Sequence, residues 1–298
     1  MRHETARQDP QQRYAGPEEQ GPEQLEYPGH TGGLDRQPDH GEQSYQGRDR
    51  LVGRRALITG GDSGIGRAVA LAYAREGADV MISYLPEEES DAAETARLVT
   101  EAGRKVVQAP GDVRDEGYCR QLVQRAVDEL GGLDILVNNA AYQMGQPGGI
   151  EEITTEQFDR VMKTNLYAMF WLCKAAVPVL PRGSTIINVS SIQAENPSPS
   201  LLDYATTKAG IKAFTQALAT DLADHGIRVN AVAPGPIWTP LIPATLPAES
   251  VEQFGGDTPL GRVGQPIEVA TAFVYFASPE SSFVTGEVLA VTGGKPMS

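Results

Sequence analysis

From Leu51 onward the chain alternates short apolar runs with longer stretches in which apolar residues recur every three or four positions. Residues 55–59 form the first apolar run, and 65–76 have helical periodicity that closes at Gly77; together they predict a strand and a helix. Residues 79–83 and 105–109 read as further strands, each followed by a charged helix, near 88–102 and 115–130, stopped at Gly103 and at Gly131-Gly132. A fourth strand over 135–138 leads through a Gly/Pro loop to a long helix near 155–177. Strand 185–189, helix 204–224 and strand 228–232 come next. After an irregular stretch, a helix near 266–277 and a strand over 288–291 close the pattern.

Apolar strands alternating with helices predict a parallel sheet covered on both faces. The expected class is therefore α/β. It would be a single doubly wound, Rossmann-type parallel sheet of about seven strands over residues 51–298, with ligands bound beyond the carboxyl ends of the strands.

Residues 1–50 break this pattern. They are polar, rich in Gln, Glu, Gly, Pro and Arg, and poor in aliphatic side chains. Such a segment buries too little apolar surface to offset its ordering entropy, so disorder is expected. The alternative is an arm that orders on a neighbouring subunit, with Tyr27, Leu34 and Tyr45 as anchors. His3, His30 and His40 fall here without the spacing of a ligand set, so no metal site is expected.

Composition narrows the function. The net charge of −14 opposes binding to the phosphates of nucleic acid. The polar start carries no apolar leader, and the run 166–180 is interrupted by Lys174 and too short to span a bilayer. Cys119 and Cys173 belong to no paired motif. A cytoplasmic protein with no membrane association is the expectation.

Two arrangements carry chemistry. Thr59-Gly-Gly-Asp-Ser-Gly-Ile-Gly66 lies between the first strand and first helix, where a dinucleotide pyrophosphate binds. Gly60 permits a tight turn, Gly64 a close backbone approach to phosphate, and Gly66 close packing of the helix start. Tyr204 and Lys208, four apart on a helix, face the same way, and an ammonium there would draw the Tyr pKa down from its usual value of about 10. Ser191 lies thirteen positions upstream of Tyr204, beside Ser190 as its rival. The two arrangements read together as hydride transfer between a nicotinamide cofactor and a carbonyl or alcohol.

The set resembles the short-chain dehydrogenase/reductase family. Thr59-Gly60-x-x-x-Gly64-Ile-Gly66, Asp112-Val113, Asn138-Asn139-Ala140, Asn165, Ser191, Tyr204-x-x-x-Lys208 and Pro234-Gly235-Pro236-Ile237 fall in the family's order from about Leu51 to the end. Pro28-Gly-His-Thr-Gly32, Pro38-Asp-His-Gly-Glu42 and Tyr84-Leu-Pro-Glu-Glu88 further resemble the bacterial aldehyde-reductase and general-stress oxidoreductase group.

The resemblance implies a role for each matching residue. Tyr204 would be the acid/base, Lys208 would lower its pKa and bind the nicotinamide ribose, and Ser191 would steady the substrate oxygen. Asn165 would join a water-linked proton relay, or simply make an interhelical hydrogen bond. Gly60, Asp62, Ser63, Gly64, Ile65 and Gly66 would form the cofactor's phosphate turn. Asp112 and Val113 would hold the adenine, Asn139 and Ala140 the adenosine side, and Pro234, Gly235, Ile237 and Thr239 the nicotinamide end. Ala141 and Ala194 stand where many relatives have Gly, changes that disturb neither charge nor proton path. A homotetramer is also implied.

At the discriminating place after the second strand stand Ser83, Tyr84 and Leu85, with no acid to repel a 2′-phosphate. The reading leans to NADP and keeps NAD, with Arg67 as the nearby cation. Residues 241–260 read as a mobile lid, and Tyr142, Gln193, Glu195 and Trp238 as pocket lining for a small aldehyde, ketone, alcohol or sugar. The competing reading is a non-catalytic dinucleotide-binding regulatory or scaffold protein on the same fold. An intact Ser-Tyr-Lys set argues against it.

Overall fold

A computed structural model describes residues 8–14 and 23–297; His3 and Ser298 lie outside them. Seven parallel strands make one sheet: β1 (Arg55–Thr59), β2 (Asp79–Tyr84), β3 (Val106–Pro110), β4 (Ile135–Asn138), β5 (Thr185–Val189), β6 (Arg228–Pro234) and β7 (Val288–Val291). Their order is β3-β2-β1-β4-β5-β6-β7. The winding reverses between β1 and β4, which opens a ligand crevice at their carboxyl ends.

Alternation along each strand feeds two cores. In β1, Ala56 and Ile58 face one core and Leu57 the other. The first core is covered by α1 (Gly64–Arg75), α2 (Glu89–Glu101) and α9 (Pro266–Ala277); the second by α3 (Glu116–Leu130), α5 (Ala168–Ala176) and α6 (Leu202–Asp221). Helix ends follow their local chemistry. Asp115 caps α3 by accepting from Tyr118 N, and Gly131 closes it at φ +80°, as an αL stop requires.

The expected strand and helix order is present, with three refinements. The long helix near 155–177 is divided into α4 (Thr155–Met162), a π-helical turn Lys163–Tyr167, and α5. Such turns insert a residue into the helical ladder and often mark functional sites; this one carries Asn165. Strand β6 runs on to Pro234. Residues 241–260, expected as a lid, hold two short helices, α7 (Leu241–Thr245) and α8 (Ala248–Glu252).

Residues 23–50 lie along the domain of their own chain. Hydrogen bonds do what aliphatic burial could not. Glu76 is fully buried and accepts from Arg48 N at 2.9 Å, Arg50 N at 3.0 Å and the Arg50 guanidinium at 2.7 Å, and also from Tyr45 OH. Asp39 N donates to Gln265 Oε1 and Trp238 Nε1 to Arg36 O. The three anchors are used: Leu34 joins Trp238, Ile242 and Val251 in a small third core, Tyr45 packs on the first core, and Tyr27 stacks edge-on against Tyr142.

Candidate active site

Thr59 ends β1, and its Oγ1 accepts from Asn139 N and Ala140 N, each at 3.0 Å. Asn139 Nδ2 donates to the carbonyls of Thr59 and Gly60, both at 2.9 Å. The glycine turn is thus bolted to the end of β4. A Cβ on Gly66 would lie 1.8 Å from the Gly60 carbonyl oxygen, so only glycine lets α1 start there. Gly64, at φ +49°, faces Thr239 across the cleft, and a Cβ would meet the Thr239 side chain at 3.1 Å. The gap that the missing side chain leaves, at the amino end of α1, suits a phosphate.

These residues open on a cavity of about 580 Å³ along the carboxyl ends of the strands, a volume suited to a cofactor with a small substrate. Gly60, Asp62, Ser63, Gly64 and Ile65 line it from the first turn, and Ser83, Tyr84 and Leu85 from β2. Asp112, Val113, Asn139 and Ala140 follow from β3 and β4; Ser191, Tyr204 and Lys208 from β5 and α6; Pro234, Gly235, Ile237 and Thr239 from the loop after β6. Gly66 stands behind this wall as a packing residue, and Asn165 lies outside it.

The two serines part company. Both border the cavity, but Ser190 Oγ is engaged, donating to the Lys208 carbonyl at 2.9 Å. Ser191 Oγ accepts from Gln193 N at 3.1 Å and is near enough to the Tyr204 phenol to lower its pKa. Lys208 is buried; its Nζ donates to Val189 O at 2.7 Å and lies 5.2 Å from the centre of the Tyr204 ring.

Here one expectation is corrected. Burial pushes the Tyr204 phenol up to about 12, against the Ser191 hydroxyl that lowers it. Burial also brings Lys208 down to about 7. With both groups in a low-dielectric wall, desolvation of the charged forms outweighs ammonium–phenolate attraction.

Asn165 ties the loop after β4 to α6. Its Oδ1 accepts from Tyr142 N at 2.8 Å, and its Nδ2 donates to Tyr142 O at 3.0 Å and Thr207 Oγ1 at 3.1 Å. A second cavity of about 10 Å³, lined by Asn165, Asn138 and Lys208 among others, has close to the space of one water.

Other expected lining residues are placed differently. Gln193 lines the cavity. Glu195 instead pairs with Lys212, Trp238 is buried under Arg36, and Tyr142 lies against the Arg160 guanidinium, 4.0 Å from its ring centre. Arg67 is buried and fully engaged, with Asp91 Oδ1 at 2.7 Å, Asp62 O at 2.9 Å and Thr95 Oγ1 at 3.0 Å. Glu88 enters unforeseen: it lines the cavity and its Oε2 accepts from Leu85 N at 2.9 Å. Burial and the nearby Asp62 carboxylate raise its pKa. Tyr27, Pro28 and Arg160 line the cavity too; the anchor at Tyr27 and the Pro28-Gly-His-Thr-Gly32 motif were signals in the sequence, and Arg160 gave none.

A family model described as "Enoyl-(Acyl carrier protein) reductase" matches residues 60–295. The Escherichia coli protein called "Uncharacterized oxidoreductase YghA" is 54% identical over 259 residues, covering 87% of this chain and 88% of its own. A crystal structure of a short chain dehydrogenase from Burkholderia cenocepacia, in complex with NADP, superposes with a TM-score of 0.76 at 33% identity, covering 82% of this chain and 98% of that one. The chain belongs to the short-chain dehydrogenase/reductase family. Like the other short-chain dehydrogenases/reductases it is an oxidoreductase dependent on a nicotinamide cofactor. Its resemblance to the general-stress group holds as well: General stress protein 39 of Bacillus subtilis is 52% identical over 271 residues, covering 91% of this chain and 94% of its own. Among the described residues no helix is long and apolar enough to cross a membrane.

Proposed function

We propose that this protein reduces small aldehydes or ketones, or oxidises the matching alcohols, with Tyr204 as the acid/base. The observation that carries the reading is that Tyr204, Ser191, Lys208 and the phosphate-sized gap at Gly64 open on one cavity. A bound reduced nicotinamide would supply the hydride. Tyr204, held as a phenol by burial, gives its proton to the carbonyl oxygen as the hydride reaches the carbonyl carbon, and the product is an alcohol. Ser191 donates to the same oxygen and steadies the charge that develops on it. Lys208, poised near neutrality, passes a proton back to Tyr204; the small cavity beside Asn165 and Asn138 gives that relay a water-sized station.

The cofactor is NADP or NAD. The NADP-bound relative supports the first, whereas Arg67, the cation expected for the 2′-phosphate, is already paired with Asp91. We also propose a cytoplasmic homotetramer. Two free buried cysteines fit a reducing compartment, and Phe158, Tyr167 and Phe170 leave an apolar face exposed along α4 and α5.

Initial rates of NADH and NADPH oxidation against a panel of aldehydes and ketones test the reading, with Tyr204→Phe run beside wild type. Turnover that collapses at least ~10³-fold in the variant is expected. Dinucleotide binding with no turnover on any substrate in the panel would favour the non-catalytic reading.

A further inference from the structure

The amino-terminal arm precedes the part of the chain that matches the family model, which begins at residue 60. Yet Tyr27 and Pro28 line the same cavity as Gly64 and Tyr204. The segment around them is fastened on both lips of the cleft. On the lid side, Leu25 N donates to Pro243 O at 3.1 Å and Gln24 Nε2 to Leu246 O at 2.9 Å. Gly29, at φ +82°, lies so near α7 that a Cβ would sit 2.6 Å from Pro240 O. On the far side, Thr31 N donates to Asp91 Oδ2 of α2 at 3.1 Å, and the His30 ring meets the same oxygen at 3.1 Å. Asp91 in turn holds Arg67, which donates to the Asp62 carbonyl in the glycine turn. Midway, the Arg160 guanidinium lies 4.8 Å from the centre of the Tyr27 ring, which is itself packed on Tyr142 at 5.1 Å.

We propose that residues 24–31 are a strap across the cofactor cleft, and that a dinucleotide enters and leaves only when this strap lifts from the lid. The proposal rests on the dinucleotide reading above. A chain segment tied to α2 at one end and to α7 at the other spans the crevice between the phosphate turn and the lid. It roofs whatever lies in that crevice and holds α7 down at the same time. The attachments are a few backbone and side-chain hydrogen bonds and one aromatic contact. That is weak enough to open on a kinetic timescale and strong enough to keep the closed form dominant.

A gate differs from an ordinary binding contact in its kinetics. A contact residue slows release alone, whereas a gate that is mostly closed slows both entry and release. The test is stopped-flow binding and chase of NADH and NADPH on the full chain, comparing wild type with Gly29→Ala, which wedges the strap off α7, and with Tyr27→Ala. Association and dissociation rates of the bound dinucleotide are both expected to rise about tenfold, with Kd changed by less than about threefold. Thermal melts and limited proteolysis within residues 23–35 accompany the kinetics, so that a lifted strap is distinguished from a misfolded domain.

Faster proteolysis of the arm with both binding rates unchanged overturns the strap. So does faster release with association unchanged, which would make Tyr27 a simple contact. If wild type binds neither dinucleotide, the functional reading fails first and the strap falls with it. If wild type binds one and only the variants' kinetics disagree, the strap alone is lost.

Discussion

Lys208 Nζ donates to the Val189 carbonyl at 2.7 Å while its charge sits 5.2 Å from the centre of the Tyr204 ring. The lysine is thereby tied to the end of β5 and held beside the phenol without being salt-bridged to it. Burial leaves Lys208 at about 7 and Tyr204 at about 12. Carbonyl reduction needs the protonated phenol, so its kcat/KM should stay level from neutral into the alkaline range. Alcohol oxidation needs the deprotonated form and should rise with pH by about tenfold per unit until the phenol titrates. Paired pH profiles in the two directions check this; an oxidation rate flat from pH 7 to about 10 would remove Tyr204 from the proton transfer.

Ser190 and Ser191 are neighbours with different partners, and their substitutions should separate. Ser191→Ala is expected to lower kcat about 10²-fold with thermal stability kept, since it faces the cavity and the Tyr204 side chain. Ser190→Ala removes the bond to the Lys208 carbonyl. It should cost about 1 kcal/mol of stability with the smaller effect on kcat. Steady-state kinetics and denaturant melts of both variants decide the assignment.

Glu88 puts a carboxylate at Leu85 N, on the corner where NAD and NADP differ. Burial and Asp62 raise Glu88 to about 8, so it repels a 2′-phosphate only above that pH; Glu88→Gln keeps the bond to Leu85 N and removes this alkaline charge. The ratio of kcat/KM for NADPH to that for NADH should rise about tenfold at about pH 9 and change little at neutral pH. An unchanged ratio would mean that Glu88 does not face the ribose.

Glu76 fastens the arm. Burial alone would raise its carboxyl, but the hydrogen bonds from Arg50, Tyr45 and the Arg50 and Arg48 amides hold it at about 2. A folded-state value below the ordinary 4.5 contributes stability that is full above about pH 4.5 and is lost as pH falls toward 2. Glu76→Gln should therefore cost about 3 kcal/mol at neutral pH, and the gap between wild type and variant should narrow under acid. Calorimetric melts at pH 7 and at about pH 3 measure both.

Much of this was legible in order and spacing. The strands and helices from β1 to β7 follow from apolar periodicity and glycine stops, which act locally. Gly60, Gly64 and Gly66 of the first turn announce their roles in the same way. Gly66 is an example: its neighbour is the Gly60 carbonyl, only six residues away.

What the sequence could not disclose depends on partners distant along the chain. Residues 23–50 look disordered by composition because their anchors are few. Their order comes from Glu76, Gln265 and Pro243, which the fold alone brings to them. Likewise a Tyr and a Lys four apart predict a shared face but not the dielectric around it. The sequence by itself determined the parallel sheet, the cofactor turn and the Ser-Tyr-Lys set, because each is encoded in local periodicity or a short motif. Only the tertiary structure decided that burial raises the Tyr204 phenol, that Arg67 is paired with Asp91 and that Tyr27 and Pro28 reach the cavity, because desolvation and long-range hydrogen bonds exist only once the chain is packed.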